Sequence, residues 1–217
     1  MPRAVIVSQH EIAHELGHVG RWLDRRGFVL ERLYREEPQS LPDADLLIVM
    51  GSPTSVATGY LLAPAEEEIR LVKEWVETGR PYLGLCFGAQ VLARALGGEV
   101  TRMERTFRGY VDLSPRANDE ARLTGSWVVW HDDAITAPPE AEVLAQLPHA
   151  DLVFRVGNAW GLQPHIEVSP ESLERMAIAL GAPASAYDPL VAALESDADP
   201  SPARVDQFLD FAFGTIR

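Results

Sequence analysis

The chain has 217 residues, of which 47% are hydrophobic and 24% charged, as is typical of a soluble globular protein. Its formal net charge of −13, with no cluster of lysine and arginine, disfavours a nucleic-acid partner because an acidic surface repels phosphate. No apolar run is long enough to span a bilayer, no signal peptide is recognisable, and the single cysteine excludes an internal disulfide framework. We therefore expect a cytoplasmic protein with no membrane association.

Strands alternate with amphipathic helices through the first half of the sequence. Strands are predicted at residues 4–7, 28–30, 46–50 and 81–85, and helices at residues 12–23, 66–78 and in the segment that ends at residues 97–98. This alternation predicts a doubly wound, mostly parallel sheet with helices on both faces. Such sheets bind ligands beyond the carboxyl ends of their strands, where the sequence places Gly51 and Cys86.

The second half of the sequence predicts a smaller antiparallel section followed by helices. Short apolar runs predict strands at residues 109–113, 127–130, 143–144 and 152–154, a turn at 137–139, and one further strand over 160–168. A helix is predicted from residue 169 to about residue 180, and the remainder is expected to be mostly helical. With no linker to divide it, the chain is expected to form a single domain over 1–217, with 169–217 as a C-terminal helical segment packed on it.

Residues 84–88 have the pattern of a strand that turns sharply into a helix. Gly84 and Gly88 flank Cys86, and small flanking residues allow the strained backbone of a nucleophile elbow. A thiol in this position lies at the positive end of the helix dipole, which favours the nucleophilic thiolate. Because a lone intracellular cysteine is usually a small buried hydrophobe, the pattern alone leaves both interpretations open.

Two overlapping H-E-x-x-H matches, at residues 10–14 and 14–18, could place pairs of histidines on one helix face as zinc ligands. A catalytic zinc also needs a third protein ligand. Gly20 and Asp24 occupy the positions where the extended motif has a histidine. We therefore favour a solvated polar helix face and predict no metal site.

A second polar cluster lies at residues 161–167. Residues two apart on a strand point to the same face, so His165 and Glu167 are expected to be neighbours, and the carboxylate can orient the imidazole. Together with Cys86 they would supply the nucleophile, the base and the orienting acid of a Cys-His-Glu triad.

Residues 45–98 and 127–168 resemble the class I (triad) glutamine amidotransferases. The elbow pattern G-x-C-x-G-x-Q of that family is matched at residues 84–90, its G-G-P oxyanion loop is similar to residues 51–53, its W-H-G-D-like segment to residues 130–133, and its late G-x-Q-F-H-P-E segment to residues 161–167. These segments also occur in the family's order along the chain.

The resemblance implies a flavodoxin-like fold and hydrolysis of the γ-amide of glutamine to glutamate and ammonia. Cys86 would attack the amide carbon and form a γ-glutamyl thioester, with His165 as the base and Glu167 holding the imidazole. The backbone N–H groups of Ser52 and Phe87 would bind the oxyanion.

The same resemblance assigns the remaining contacts of the substrate. Gln90 and the backbone around Asp132 and Asp133 would contact its amino-acid end, and Gly51 opens the oxyanion loop. No cofactor is implied.

Three positions depart from the family pattern. Ser52 replaces the second glycine of the oxyanion loop, Pro164 stands in place of phenylalanine, and Ile166 stands in place of proline. None of these changes removes a catalytic side chain, so the triad is expected to survive, while the local strand pairing and the substrate pocket are less defined.

The resemblance leaves several functions open. A related superfamily of proteases and chaperone-like proteins has histidine directly after the cysteine, where this sequence has Phe87, which disfavours that assignment. The first hypothesis is a free-standing amidotransferase, resembling the glutaminase domain of GMP synthase, that passes ammonia to an unknown acceptor or a partner synthetase. The second is a hydrolase of γ-glutamyl amines or peptides with the same triad. The third is a non-catalytic binding protein on this scaffold.

Overall fold

The computed structural model describes residues 1–12, 14–37, 40–57, 63–113, 123–196 and 201–216. Its strands are β1 (Arg3–Ser8), β2 (Val29–Tyr34), β3 (Leu46–Val49), β4 (Tyr82–Leu85), β5 (Glu99–Leu113), β6 (Gly125–Thr136), β7 (Glu142–Leu147), β8 (Ala150–Val156) and β9 (Ala159–Leu162). Its helices are α1 (Gly17–Arg25), α2 (Ala63–Glu77), α3 (Phe87–Ala95), α4 (Pro170–Ala179), α5 (Ala184–Ser196) and α6 (Ser201–Phe213), with a 3₁₀ turn at His10–Ile12.

Within the described residues, the main sheet has seven strands in the order β2-β1-β3-β4-β9-β8-β7. The five strands from β2 to β9 run parallel, and β8 and β7 continue the sheet in antiparallel pairing. Strands β5 and β6 form a separate antiparallel ribbon. The order of the parallel strands is that of flavodoxin-like sheets, so the predicted fold class is confirmed.

Both faces of the main sheet are covered because successive strand residues enter two different hydrophobic clusters. In one cluster Ile48 packs with Leu23 of α1 and Phe208 of α6. In the other, Val49 packs with Trp75 of α2 and with residues of α3. Because β3 is buried on both faces, its sequence is a continuous apolar run. None of the helices in the described ranges is both long and apolar enough to cross a bilayer.

The ribbon strands are longer than the apolar runs that predict them. The run at 109–113 is only the end of β5, and the run at 127–130 lies within β6. Most residues of β5 are exposed or half-buried. Because solvated positions accept polar residues, hydrophobicity alone underestimates the length of such strands.

The single helix predicted over residues 12–23 is wrong. The structure has a 3₁₀ turn at its start, and α1 begins only at Gly17, whose φ of +48° lies in the left-handed region. A Cβ at this position would overlap the carbonyl oxygen of Glu167, and the next residue, His18, donates its N–H to the same oxygen over 2.8 Å. The glycine therefore allows the chain to pass directly against the residue expected to orient the catalytic base.

The strand predicted over 160–168 is also wrong in extent, because β9 ends at Leu162. The next N–H, from Gln163, donates to Leu152, and the N–H of His165 donates to Val128 of β6 over 2.8 Å. Pro164 between them has no N–H to continue the ladder with β4. The chain therefore leaves the main sheet and contacts the ribbon just where His165 occurs.

The C-terminal segment begins as predicted. Ser169 caps α4: its side chain accepts the N–H of Ser172, whose side chain accepts the N–H of Ser169. Farther on, α6 buries Val205, Phe208 and Leu209 in the cluster that includes the main sheet. These contacts support the proposal of one domain over residues 1–217 with its C-terminal helices packed on it.

Candidate active site

A cavity of about 230 Å³ lies beyond the carboxyl ends of β3 and β4. Its walls include the loop after β3, the start of α3, part of β6 and one side of α4. Seven residues of the sequence-predicted site line it: Gly51, Ser52, Cys86, Gln90, Asp132, Asp133 and His165. Phe87 and Glu167 lie directly behind this wall, next to Cys86 and close to His165, respectively.

Cys86 occupies the predicted sharp turn between β4 and α3. It has a φ of +49° and a ψ of −102°, and within the described ranges it is the only non-glycine residue with a positive φ. A Cβ on Gly84 would lie 2.5 Å from the backbone of Gly88, and one on Gly88 would overlap the carbonyl oxygen of Val49. Both flanking glycines are therefore required by close packing, and the strained backbone holds the thiol at the end of the sheet.

The sulfur of Cys86 has a polar partner whose role the sequence did not indicate. Gln163 donates from Nε2 to Sγ over 3.3 Å, and its own Oε1 accepts from Nε2 of Gln90 over 3.3 Å. The carbonyl oxygen of Trp130 lies 3.6 Å from Sγ. Gln163 could have been identified from the sequence because it is a polar residue that directly follows an apolar strand beside the site. Gln90, expected to contact substrate, holds this amide in place.

His165 and Glu167 are neighbours, although not through the strand alternation that predicts it. Nδ1 of His165 lies 2.7 Å from Oε1 of Glu167, whose side chain is 1% exposed. The imidazole also lines the same cavity as Cys86. Burial disfavours the charged imidazole, but the nearby Glu167 carboxylate and Cys86 thiolate outweigh it and raise the pKa of His165 well above its usual value.

The loop after β3 lies directly against these groups. A Cβ on Gly51 would lie 3.2 Å from Cε1 of His165 and 3.6 Å from Cβ of Cys86, so the loop approaches the site as backbone. The hydroxyl of Ser52 donates to Gln9 Oε1 over 2.8 Å and accepts the N–H of Thr54 over 3.0 Å. The serine that replaces the family glycine thus ties this loop to the end of β1.

The two aspartates of β6 use their side chains within the protein. Asp133, 2% exposed, accepts hydrogen bonds from Ser55 Oγ at 2.5 Å and from the N–H of Val56 at 3.0 Å. Asp132 pairs with Arg102 at 3.0 Å. Asp133 therefore anchors the loop that carries Ser52, a structural role that the sequence did not indicate.

His131 is a further polar group in the cavity wall. Its Nδ1 lies 2.7 Å from the carbonyl oxygen of Asp133, so this nitrogen carries the proton. Its buried Nε2 has no hydrogen-bond partner among the described residues. Burial lowers the pKa of His131, which keeps the imidazole neutral.

The histidines of the two H-E-x-x-H matches do not share a helix face. His10 stacks on Tyr34 and bonds Glu37, and His14 is exposed. His18 is buried against Arg21, and burial and this guanidinium lower its pKa to about 4. In the part of the chain that the structure describes, no three His, Cys, Asp or Glu side chains gather as a metal site would require.

Residues 9–179 match the family model described as Glutamine amidotransferase class-I. The chain belongs to this family. It is 34% identical over 145 residues to a GMP synthase [glutamine-hydrolyzing] of Porphyromonas gingivalis, and 36% identical over 147 residues to that of Thermus thermophilus. The matched regions cover 62% and 64% of this chain but only 27% of each GMP synthase.

Other similar proteins are closer to this chain in length. The glutamine amidotransferase-like protein YfeJ of Salmonella typhimurium is 27% identical over 76% of both chains. A glutamine amidotransferase of Thermotoga maritima superposes with a TM-score of 0.84 at 20% identity, covering 98% of each chain. One from Methylobacillus flagellatus gives 0.80 at 19% identity, covering 100% of this chain and 95% of the other. These two structures share the fold.

Proposed function

We propose that this amidotransferase hydrolyses the γ-amide of glutamine to glutamate and ammonia through a γ-glutamyl thioester on Cys86. The observation that carries the proposal is the position of Cys86 at a strained elbow, in one cavity with the His165–Glu167 pair. A nucleophile that lines the cavity, a base beside it and an orienting carboxylate are the parts that amide hydrolysis requires.

The proposed reaction begins with attack of the Cys86 thiolate on the γ-carbonyl carbon. The N–H groups of Ser52 and Phe87 bind the oxyanion, and the latter belongs to the first turn of α3, whose N–H groups have no partner within the helix. The imidazolium of His165 gives its proton to the amide nitrogen, the C–N bond breaks and ammonia leaves. Water then attacks the thioester, with His165 as base, and releases glutamate.

The amino-acid end of the substrate would lie toward Gln90 and the β6 residues. The side chains of Asp132 and Asp133 are already paired, so the backbone at these positions is the proposed contact. The cavity wall there is polar, as an ammonium and a carboxylate group require.

The ammonia is proposed to pass to an unknown acceptor or to a partner synthetase chain. This proposal rests on the similarity to GMP synthases. The region of the Porphyromonas gingivalis enzyme that matches this chain is 27% of its length. The net charge of −13 supports a protein that does not bind nucleic acid, and the one free thiol supports a reducing, cytoplasmic location.

One observation favours the second candidate, a hydrolase of γ-glutamyl amines. The leaving group departs toward His165. The chain just beyond His165 forms an apolar wall of Leu173, Met176 and Ala177 from α4, with Leu180 directly after this helix. Ile12 adds to this wall. Ammonia needs no such surface, whereas the alkyl part of an amine would be stabilised on it.

The two candidates are separated by proton NMR of the purified chain with L-glutamine and then with γ-glutamyl alkylamines, with Cys86→Ala as the control. Glutamate formed from glutamine, and absent with the variant, supports the amidotransferase. Cleavage of the alkylamines alone supports the hydrolase. If neither is cleaved and the thiol reacts no faster than free cysteine, the non-catalytic binding protein is favoured.

A further inference from the structure

Arg35 directs a buried guanidinium toward the loop that carries Ser52. It directly follows β2, and its side chain is only 6% exposed. Its Nε and Nη2 donate to the two carboxylate oxygens of Glu68 on α2, over 3.2 and 3.1 Å. The Glu68 side chain is 3% exposed, so this is a two-point ion pair away from water.

The remaining donors of Arg35 hold the oxyanion loop. Nη2 also donates to the carbonyl oxygen of Met50 over 3.1 Å, and Nη1 donates to that of Gly51 over 2.9 Å. The Gly51 carbonyl and the Ser52 N–H belong to one planar peptide unit, in which they point in opposite directions. A guanidinium that fixes this oxygen therefore also fixes the direction of the Ser52 N–H.

Arg35 also contacts the residue that carries the second proposed donor. Its guanidinium carbon lies 4.3 Å from the centre of the Phe87 ring. The contact is short enough for a cation–π interaction and orders the first residue of α3. One side chain thus touches the peptide unit of Ser52 and the side chain of Phe87.

We propose that Arg35 is a positioning residue of the oxyanion hole, held in place by Glu68. It touches no reacting atom and acts through the Gly51–Ser52 peptide and through Phe87. The positive charge of the guanidinium, next to the Gly51 oxygen, polarises this peptide and makes its N–H a stronger donor. This inference rests on the proposed function, in which these two N–H groups bind the oxyanion.

The arrangement requires arginine rather than any cation. The planar guanidinium reaches one carboxylate and two carbonyl oxygens at once, whereas the ammonium of lysine has three donors on a flexible stem. Arg35→Lys would keep the charge but lose the simultaneous contacts, so it is expected to recover only part of what Arg35→Met loses.

The test compares Arg35→Met, Arg35→Lys and the double variant Arg35→Met/Glu68→Met, with exposed Arg70→Met on α2 as the control. The double variant removes both charges and avoids leaving Glu68 buried without its partner. For the γ-glutamyl substrate that the wild-type chain cleaves, we expect the kcat of the double variant to be about 100-fold lower than that of the wild type. This is the loss typical for one oxyanion donor. KM is expected to change less than about threefold, because the oxyanion exists only in the transition state.

Two further readouts separate positioning from a general disturbance of the site. Alkylation of Cys86 by iodoacetamide forms no oxyanion, so its rate should stay at the wild-type value in the double variant. The amide resonances of Ser52 and Phe87 should shift, while those of residues in α6 should not. Equal losses of kcat and of alkylation rate, or unshifted amide resonances in a folded variant, would overturn the proposal.

The same design distinguishes failure of this inference from failure of the proposed function. If the wild-type chain cleaves no γ-glutamyl compound, the proposed function fails, and the amide shifts alone decide whether Arg35 orients the Ser52 peptide. If the wild type is active and the double variant retains its kcat, the positioning role is refuted and the proposed function stands.

Discussion

Cys86 and His165 line the same cavity, but the protein holds them by different means. Cys86 is fixed by its backbone, at a strained turn between a buried strand and a helix, with no room for a Cβ on Gly84 or Gly88. His165 lies beyond the end of β9 and is held by two hydrogen bonds, from its N–H to Val128 and from its ring to Glu167. The position of the proposed nucleophile thus depends on close packing, and that of the proposed base depends on its polar partners.

The largest effect is expected when the proposed nucleophile itself is removed. Cys86→Ala should lower turnover by roughly 10⁴-fold or more, because a triad without its nucleophile loses covalent catalysis. The fold should persist, since alanine fits the same buried place with one atom fewer. Turnover and the melting temperature of both proteins check this. Unchanged turnover in the variant would show that another group performs the chemistry.

On the base side, Glu167→Gln should lower kcat by roughly 10²–10⁴-fold, because the amide can no longer stabilise the imidazolium. The variant should also lower the pKa of His165, since the carboxylate that raises it is gone. NMR titration of the imidazole measures this. An unshifted titration curve in the variant would mean that Glu167 does not govern His165.

The raised pKa of His165 also predicts how the stability of the fold depends on pH. Because folding raises the pKa of His165 above its ordinary value of 6.5, the contribution of this group is complete below pH 6.5 and is lost as pH rises through the folded value. Glu167→Gln should move that loss to lower pH. Urea unfolding at a series of pH values, compared between the two proteins, measures the displacement, and superimposable profiles would contradict it.

On the elbow side, Gly88→Ala should destabilise the fold by about 3 kcal/mol, because the added Cβ overlaps the Val49 carbonyl oxygen and the backbone must shift. Gly109→Ala is the matched control, since a Cβ there meets nothing within 4 Å. Chemical denaturation of both variants gives the difference. Equal stabilities would show that the elbow tolerates a side chain.

The smallest effect is expected at the amide that bonds the sulfur. Gln163→Leu should slow alkylation of Cys86 by iodoacetamide about tenfold at neutral pH, because a hydrogen bond to the thiolate is lost. Exposed Gln207→Leu should leave the rate unchanged. If both variants react like the wild type, Gln163 does not stabilise the thiolate.

The difference between the two sides also explains what could be predicted from the sequence. A strained elbow needs small residues at fixed local spacing, so Gly84, Cys86 and Gly88 indicated it directly. The predicted extent of the strand over 160–168 was wrong because the chain after residue 162 leaves the main sheet. His165 pairs instead with Val128 of β6, more than 30 residues earlier in the chain. Local periodicity carries no information about such a distant partner.

The supports of the proposed oxyanion loop, residues 51–53, could not be predicted from the sequence for the same reason. Arg35 and Glu68 are 33 residues apart, and Asp133 is 78 residues from Ser55. Charged residues at these positions are typical of a solvated surface, and only the tertiary structure shows that they are buried and paired.

The central claim is that Cys86 becomes acylated by the γ-glutamyl group. The most direct measurement is to mix the wild-type chain with the γ-glutamyl substrate that it cleaves, quench with acid within the first turnover and determine the mass of the Cys86 peptide. A γ-glutamyl adduct on this peptide is the predicted result. Glutamate released at the same rate while Cys86 stays unmodified, and equally by Cys86→Ala, would contradict it.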